Sequence, residues 1–160
     1  MIQIKNRYDG KIIYECDSTN LAEAVQRAVA EGVDLIEADL RGANLQGANL
    51  TEANLYRANL EDAILQGAKL QTASLIDVNL YCASLTEANL RGASLTGASL
   101  IEASLIEADL IGADLTGADL TNADLDNANL PWADLTGANL TGACLDDVKL
   151  YKTKFQRSKK

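Results

Sequence analysis

The side chains in this sequence that could take part in chemistry are carboxylates, serines and three cysteines; there is no histidine. Without an imidazole, general acid–base work and nucleophile activation lose their usual agent, and no acid–base–nucleophile set can be assembled from the usual parts. Ser74, Ser84, Ser94, Ser99 and Ser104 each stand directly before a leucine, where Asp or Asn stands elsewhere. Such interchange marks a structural position. Cys16, Cys82 and Cys144 are odd in number and far apart, which suits reduced thiols of a cytoplasmic protein better than a disulfide framework. The glycines keep a five-residue beat rather than opening a helix after a strand, so no phosphate-cradling loop is present. What remains is a set of acids, Glu87, Glu107, Asp124, Asp126, Asp146 and Asp147, accompanied by Asp109, Asp114 and Asp119. Their chemistry is that of a negatively charged surface, either a solvated face or one that imitates a polyanion. Metal binding is weak, because no loop converges several oxygens on one point. No catalytic, cofactor-binding or metal residue is expected.

Charge is uneven along the 160 residues, whose net charge is −9. Residues 33–150 carry 18 acids and five bases, whereas residues 151–160 carry five bases and no acid. An acidic body repels free nucleic acid and membrane surfaces, so neither is an expected partner. No apolar run approaches the roughly 18 residues of a membrane span. The start, MIQIKNRYDG, lacks the basic-then-apolar layout of a secretion signal.

The elements that position these residues follow from a repeat. Leu occupies every fifth position from Leu35 to Leu150, 24 times without a gap, and Phe155 takes the next step. Two residues before each leucine stands Ala, or Val at Val33, Val78 and Val148. A period of five fits neither an α-helix, where the leucines would wind around every side, nor a flat strand, where they would alternate between faces. The chain must bend once every five residues and return each Leu to a shared interior. Ala, two residues earlier, points the same way by strand alternation. Nine glycines, Gly42 and Gly112 among them, lie two residues after a Leu, where a type II turn needs φ > 0. Glu52, Arg57, Asp77 and Glu102 hold that place in other repeats, and their corners are expected to use a turn with negative φ.

The run ADLRGANLQGANL, continued in GADLTGADLTNADL, resembles the pentapeptide-repeat family, whose pattern is A(D/N)LXX. The resemblance implies an all-β solenoid: a right-handed quadrilateral β-helix with four repeats per coil. Residues 33–155 then make about six coils, a tower of about 29 Å at the spacing of neighbouring strands. Cys82 and Cys144 fall on different faces and coils.

An open tower needs capping. Residues 1–32 suit that role. Ile2 and Ile4 begin a strand, Asp9-Gly10 signals a hairpin turn, and Ile12-Ile13-Tyr14 returns. Asn20 or Ser18 starts a helix with Glu23 as its capping-box partner; Leu21, Val25, Ala28 and Val29 form its apolar stripe, and Gly32 ends it. At the other end Leu150, Tyr151 and Phe155 are expected to plug the last coil, with residues 156–160 as a disordered basic tail. No amphipathic helix follows, unlike the quinolone-resistance members of the family, which pair through a C-terminal element.

Residues twenty apart stack into columns. Ile36, Tyr56 and Ile76 make one outward column, Tyr81 and Ile101 lie in the next, and Ile106 and Ile111 continue around the same coil. These are expected to form an apolar surface for a protein partner, which makes the chain a non-catalytic interaction scaffold. The alternative is an acidic DNA mimic that binds a topoisomerase such as DNA gyrase, through the face carrying Glu87, Glu107, Asp124, Asp126, Asp146 and Asp147. A monomer or a weak end-to-end homodimer is expected, since Lys149, Lys152, Lys154 and Arg157 oppose close pairing at the C-terminal end.

Overall fold

The computed structural model describes residues 1–155. From Leu35 onward the chain is a stack of short parallel bridges joining residues twenty apart, such as Ser74↔Ser94 and Ser94↔Asp114. With one bend per five residues, twenty residues close one coil of four sides. The backbone bonding is regular. Leu75 N–H donates to Ser94 O (2.7 Å), and Ser94 N–H donates back to Ala73 O (3.0 Å). At each corner the Ala N–H donates to the carbonyl of the Leu three residues earlier, as Ala98 does to Leu95 O (3.0 Å). The backbone groups of each inner coil are thereby satisfied by the coils on either side.

The two interior positions divide the shaft between them. Leu35 to Leu130 and nearly every Ala or Val paired with them are buried completely or almost so. Each buried Leu is worth about 1.5–3 kcal/mol before entropy is counted. The residue before each Leu has its own task. Its Asp or Asn side chain accepts the backbone N–H two residues on, as Asp114 does from Thr116 (2.9 Å) and Asn44 from Gln46 (3.2 Å). A short polar side chain thus braces the corner. Some of these side chains also bond from coil to coil, as Asn79 Nδ2 does to Asn59 Oδ1 (2.9 Å).

The corners with bulky residues differ from expectation. Glu52, Arg57, Asp77 and Glu102 have φ of 61, 54, 53 and 58°, the same left-handed region that the glycines occupy. Bonds to the next coil impose the turn: Glu52 N–H donates to Gln71 O (3.0 Å) and Arg57 N–H to Ile76 O (3.0 Å). A corner with another turn type would break this ladder, so the side chain carries the strain instead. Glu52→Gly should therefore raise stability by about 1 kcal/mol, or 2–4 °C in thermal midpoint. Gly112→Ala, with φ +69° and open space around the added methyl, should lower it by a similar amount. Circular-dichroism melts of both variants check this.

At the N-terminal end β1 (Ile2–Lys5) and β2 (Ile12–Cys16) form an antiparallel hairpin, and α1 spans Leu21–Ala30. Asn20 Oδ1 accepts Glu23 N–H (2.8 Å), while the Glu23 carboxylate accepts from Ser18 Oγ (2.6 Å), so both candidate starts of the helix contribute. Gly32 leaves the helix at φ 72°. The hairpin reaches the first coil through Asp39 N–H to Lys5 O (2.8 Å) and Arg7 N–H to Glu37 O (2.8 Å). From the helix, Gln26 Oε1 accepts Asn49 N–H (2.9 Å). Ile4, Val25 and Ala28 are buried against the first leucines.

The other end corrects the expected plug. Leu145, Leu150, Tyr151 and Phe155 are 43–63% exposed. Leu145, Leu150 and Phe155 rim a narrow apolar cavity of about 20 Å³ instead of filling it, and Tyr151 lies outside its lining. The short strands β3 (Asp134–Leu135) and β4 (Lys154–Phe155) continue the parallel ladder there. The expected basic tail, 156–160, lies outside the described residues.

Candidate functional site

Backbone bonds that pass each corner fix which outward side chains are neighbours. Glu37 N–H to Tyr56 O and Arg57 N–H to Ile76 O put Ile36, Tyr56 and Ile76 in one column at the first corner. Beside them stand Glu37, Arg57 and Asp77. The Arg57 guanidinium lies 4.9 Å from the centre of the Tyr56 ring, and its Nε meets Asp77 Oδ2 at 3.4 Å. Arg7 Nη1 of the hairpin donates to Arg57 O (3.1 Å), tying the N-terminal segment to this corner. At the second corner Cys82 N–H to Ile101 O stacks Tyr81 beside Ile101. Cys82 Sγ lies 3.6 Å from Glu102 Oε2, and burial pushes its thiol pKa up. The first corner holds three of the seven expected apolar residues, and the second, the next around the coil, holds two more.

Ile106 and Ile111 do not join them. Glu107 N–H donates to Asp126 O, which stacks Ile106 directly beneath Asp126 at the third corner, diagonally opposite Ile76. Ile111 belongs to the fourth corner, beneath Pro131. Going around one coil moves a side chain to another side of the tower; only steps of twenty keep it in place.

The expected acids lie at or beside the third corner. Glu87, Glu107 and Asp147 share one column of the third corner, and Asp126 and Asp146 share its neighbour. Asp124 adjoins them in the column before the leucines. Oxygens of Asp124 and Asp126 and the sulfur of Cys144 lie within 4.8 Å of one another. Cys144 Sγ donates to Asp126 Oδ1 at 2.8 Å, and that bond raises the thiol pKa. The thiol therefore serves as a donor that offsets part of the carboxylate repulsion.

The fourth corner holds a group built on Trp132, which no expectation singled out. Trp132 N–H donates to Tyr151 O, and the two rings meet edge to face with centroids 5.9 Å apart. Lys152 Nζ lies 4.2 Å from the Trp132 ring centre and 5.3 Å from that of Tyr151. The signal was in the sequence: Pro131-Trp132 and Tyr151-Lys152 are twenty residues apart. Next to this corner Lys154 Nζ pairs with Asp134 Oδ2 (2.9 Å). A hydrogen bond from Thr136, joined by the lysine, holds the Asp134 pKa down at about 2. A carboxyl depressed on folding stabilises the fold above its unfolded value, about 3.9, and this contribution is lost as pH falls through about 2. Carboxyl-carbon NMR titration should place the Asp134 midpoint near 2; Thr136→Val should raise it more than Lys154→Ala does.

A hollow of about 520 Å³ beside Asp39, Arg41 and Glu61 contains the Arg41–Asp39 ion pair at 2.9 Å. No helix among the described residues is long and apolar enough to cross a membrane.

The family model for pentapeptide repeats matches eight copies over residues 26–55, 53–92, 83–122 and 113–150. The chain is a pentapeptide-repeat protein. Its coils are accordingly those of a right-handed quadrilateral β-helix. Among solved structures it is similar to HetL, a pentapeptide-repeat protein involved in heterocyst differentiation regulation from Nostoc sp. strain PCC 7120. Identity is 36%, coverage is 79% of this chain and 67% of HetL, and the TM-score is 0.53. It is also similar to the pentapeptide-repeat protein Rfr23 from Cyanothece 51142, at 33% identity, 69% and 65% coverage and a TM-score of 0.30. QnrB1, a plasmid-mediated fluoroquinolone resistance protein, aligns at 20% identity over 74% of this chain and 79% of its own, with a TM-score of 0.32. No curated protein sequence matches the chain. In this pentapeptide-repeat tower the interior is the same in every coil, so individuality resides in the corners.

Proposed function

We propose that this pentapeptide-repeat chain is a non-catalytic scaffold that binds another protein through its first two corners. The supporting observation is the column Ile36–Tyr56–Ile76, with Arg57 held over Tyr56 and with Tyr81 and Ile101 at the next corner. Tyrosine and arginine set among aliphatic side chains are the composition that dominates binding energy at protein interfaces. The rigid ladder beneath holds them without further ordering cost, which favours affinity. The domain reading belongs to the same proposal: residues 1–32 seal the first coil, and residues 33–155 form about six coils that present the corners. No enzyme is proposed: the chain has no histidine, the usual agent that activates a nucleophile. The likeness to HetL, a protein tied to regulation, agrees with a role exerted through binding. The three free thiols suit the cytoplasm. Neither nucleic acid nor a membrane is a proposed partner, and the chain acts as a monomer or a weak end-to-end homodimer. Capture of the partner by the wild type, but not by a variant with Asp at Tyr56 and Ile76, is the test.

A second reading is favoured by the third corner, where Glu87, Glu107, Asp124, Asp126, Asp146 and Asp147 gather. Such a surface could imitate DNA toward a topoisomerase such as gyrase. The likeness to QnrB1 is too distant to add to it. A supercoiling assay with gyrase at micromolar protein separates the readings. An effect on supercoiling, or on its inhibition by a quinolone, supports mimicry; none dismisses it.

A further inference from the structure

We propose that Trp132, Tyr151, Lys152 and Lys149 form a second binding site, for an acidic peptide segment of a partner protein that carries an apolar side chain. Trp132 has φ 65°, a conformation that L side chains adopt at a cost, and the residue is 55% exposed. Gly92 and Gly112 hold the same column two coils and one coil earlier. Stability of the corner would be served by glycine there, and burial does not repay the tryptophan. Tyr151 stands against it, 63% exposed. Together with Pro131 and Ile111 in the same corner, the rings offer an apolar contact on the side of the tower.

Charge identifies the occupant. Residues 33–150 carry 18 acids and five bases, yet this corner carries Lys152, with Lys149 and Lys154 on the sides that flank it. Lys154 already pairs with Asp134, whereas Lys152 faces only the rings and Lys149 has no carboxylate partner among the described residues. An ammonium resting on ring faces remains able to accept a carboxylate on its outer side. Two cations and two rings match one or two acidic side chains flanking an apolar one. A long polyanion such as single-stranded DNA could use the same groups, by base stacking and phosphate pairing. It would, however, have to pass the acidic third corner, one side of the tower away. The acidic peptide is therefore the occupant the charges select.

The site is independent of the first two corners, so either proposal can fail alone. Trp132 is the sole tryptophan, and its fluorescence reports the site directly. The probes are a ten-residue peptide with four Asp or Glu around a central Phe-Pro, its Asn/Gln counterpart, and a ten-nucleotide oligothymidylate. The acidic peptide should shift and saturate the Trp132 emission, and its affinity should fall several-fold between low and physiological salt. The neutral peptide should bind at least tenfold more weakly. A variant with Lys149→Asp and Lys152→Glu should lose at least tenfold affinity for the acidic peptide. It should remain folded, because Asp109 and Glu52 occupy the same two columns. Equal binding of the neutral peptide, tighter binding of the oligonucleotide, unchanged affinity in the double variant, or no change in emission up to millimolar acidic peptide would each overturn the proposal.

Discussion

Leu95→Asp should lower the thermal midpoint by at least about 15 °C. Leu95 is fully buried in the middle of the shaft, between Leu75 and Leu115 in the coils on either side. Its removal alone resembles a Leu→Ala change in a well-packed core, which costs about 2–5 kcal/mol. The carboxyl adds the cost of desolvation without a partner, another few kcal/mol even when it takes up a proton. Ladder bonds cannot help it: the nearby N–H groups, such as Leu95 N to Asp114 O at 2.6 Å, are already committed to carbonyls. The sum approaches the whole stability of an ordinary domain, about 5–15 kcal/mol, and each kcal/mol moves the midpoint by about 2–4 °C at this size. Thr96→Asp introduces the same carboxylate one residue further on, at an outward corner position. It should change stability by only about 0.5 kcal/mol. Melting curves that fail to separate the two variants would refute the interior assignment of the leucines.

The interior was legible in the sequence because a single constraint, return of the chain every five residues, governs all of it. Leu and Ala recur at fixed places, and the bridges from residue to residue-plus-twenty follow. The hairpin and helix before the first coil were also written locally, in Asp9-Gly10 and in Ser18, Asn20 and Glu23. Corner geometry was not. At Glu52, Arg57, Asp77 and Glu102 local preference argues for negative φ, but the coils above and below need donors and acceptors at fixed heights, and the lattice prevails. This is tertiary override of local preference in a simple form. The gathering of acids at the third corner followed from the twenty-residue column rule. Ile106 and Ile111 continue around the same coil, at its third and fourth corners. The same rule, applied to Pro131-Trp132 and Tyr151-Lys152, pairs the residues of the fourth corner. Burial at the C-terminal end was not legible, because a large apolar residue such as Phe155 looks the same in sequence whether it fills a shaft or rims it.

The binding role of the first corner is tested most directly by quantitative partner capture with three forms of the chain: the wild type, Tyr56→Asp with Ile76→Asp, and Asp126→Lys with Asp146→Lys. Both altered columns tolerate charge, since Glu61, Arg91 and Asp126 occupy the equivalent place at other corners. The variants should therefore keep wild-type melting curves to within a few degrees. Loss of an interface hot spot costs about 2 kcal/mol or more, roughly 30-fold in affinity. Tyr56→Asp also removes the ring beneath Arg57. The proteins captured by the wild type should fall at least 100-fold in affinity for the first variant and bind the third-corner variant as before. Capture that survives Asp at Tyr56 and Ile76 but is lost when Asp126 and Asp146 become Lys would contradict the account and place the binding surface on the acidic corner.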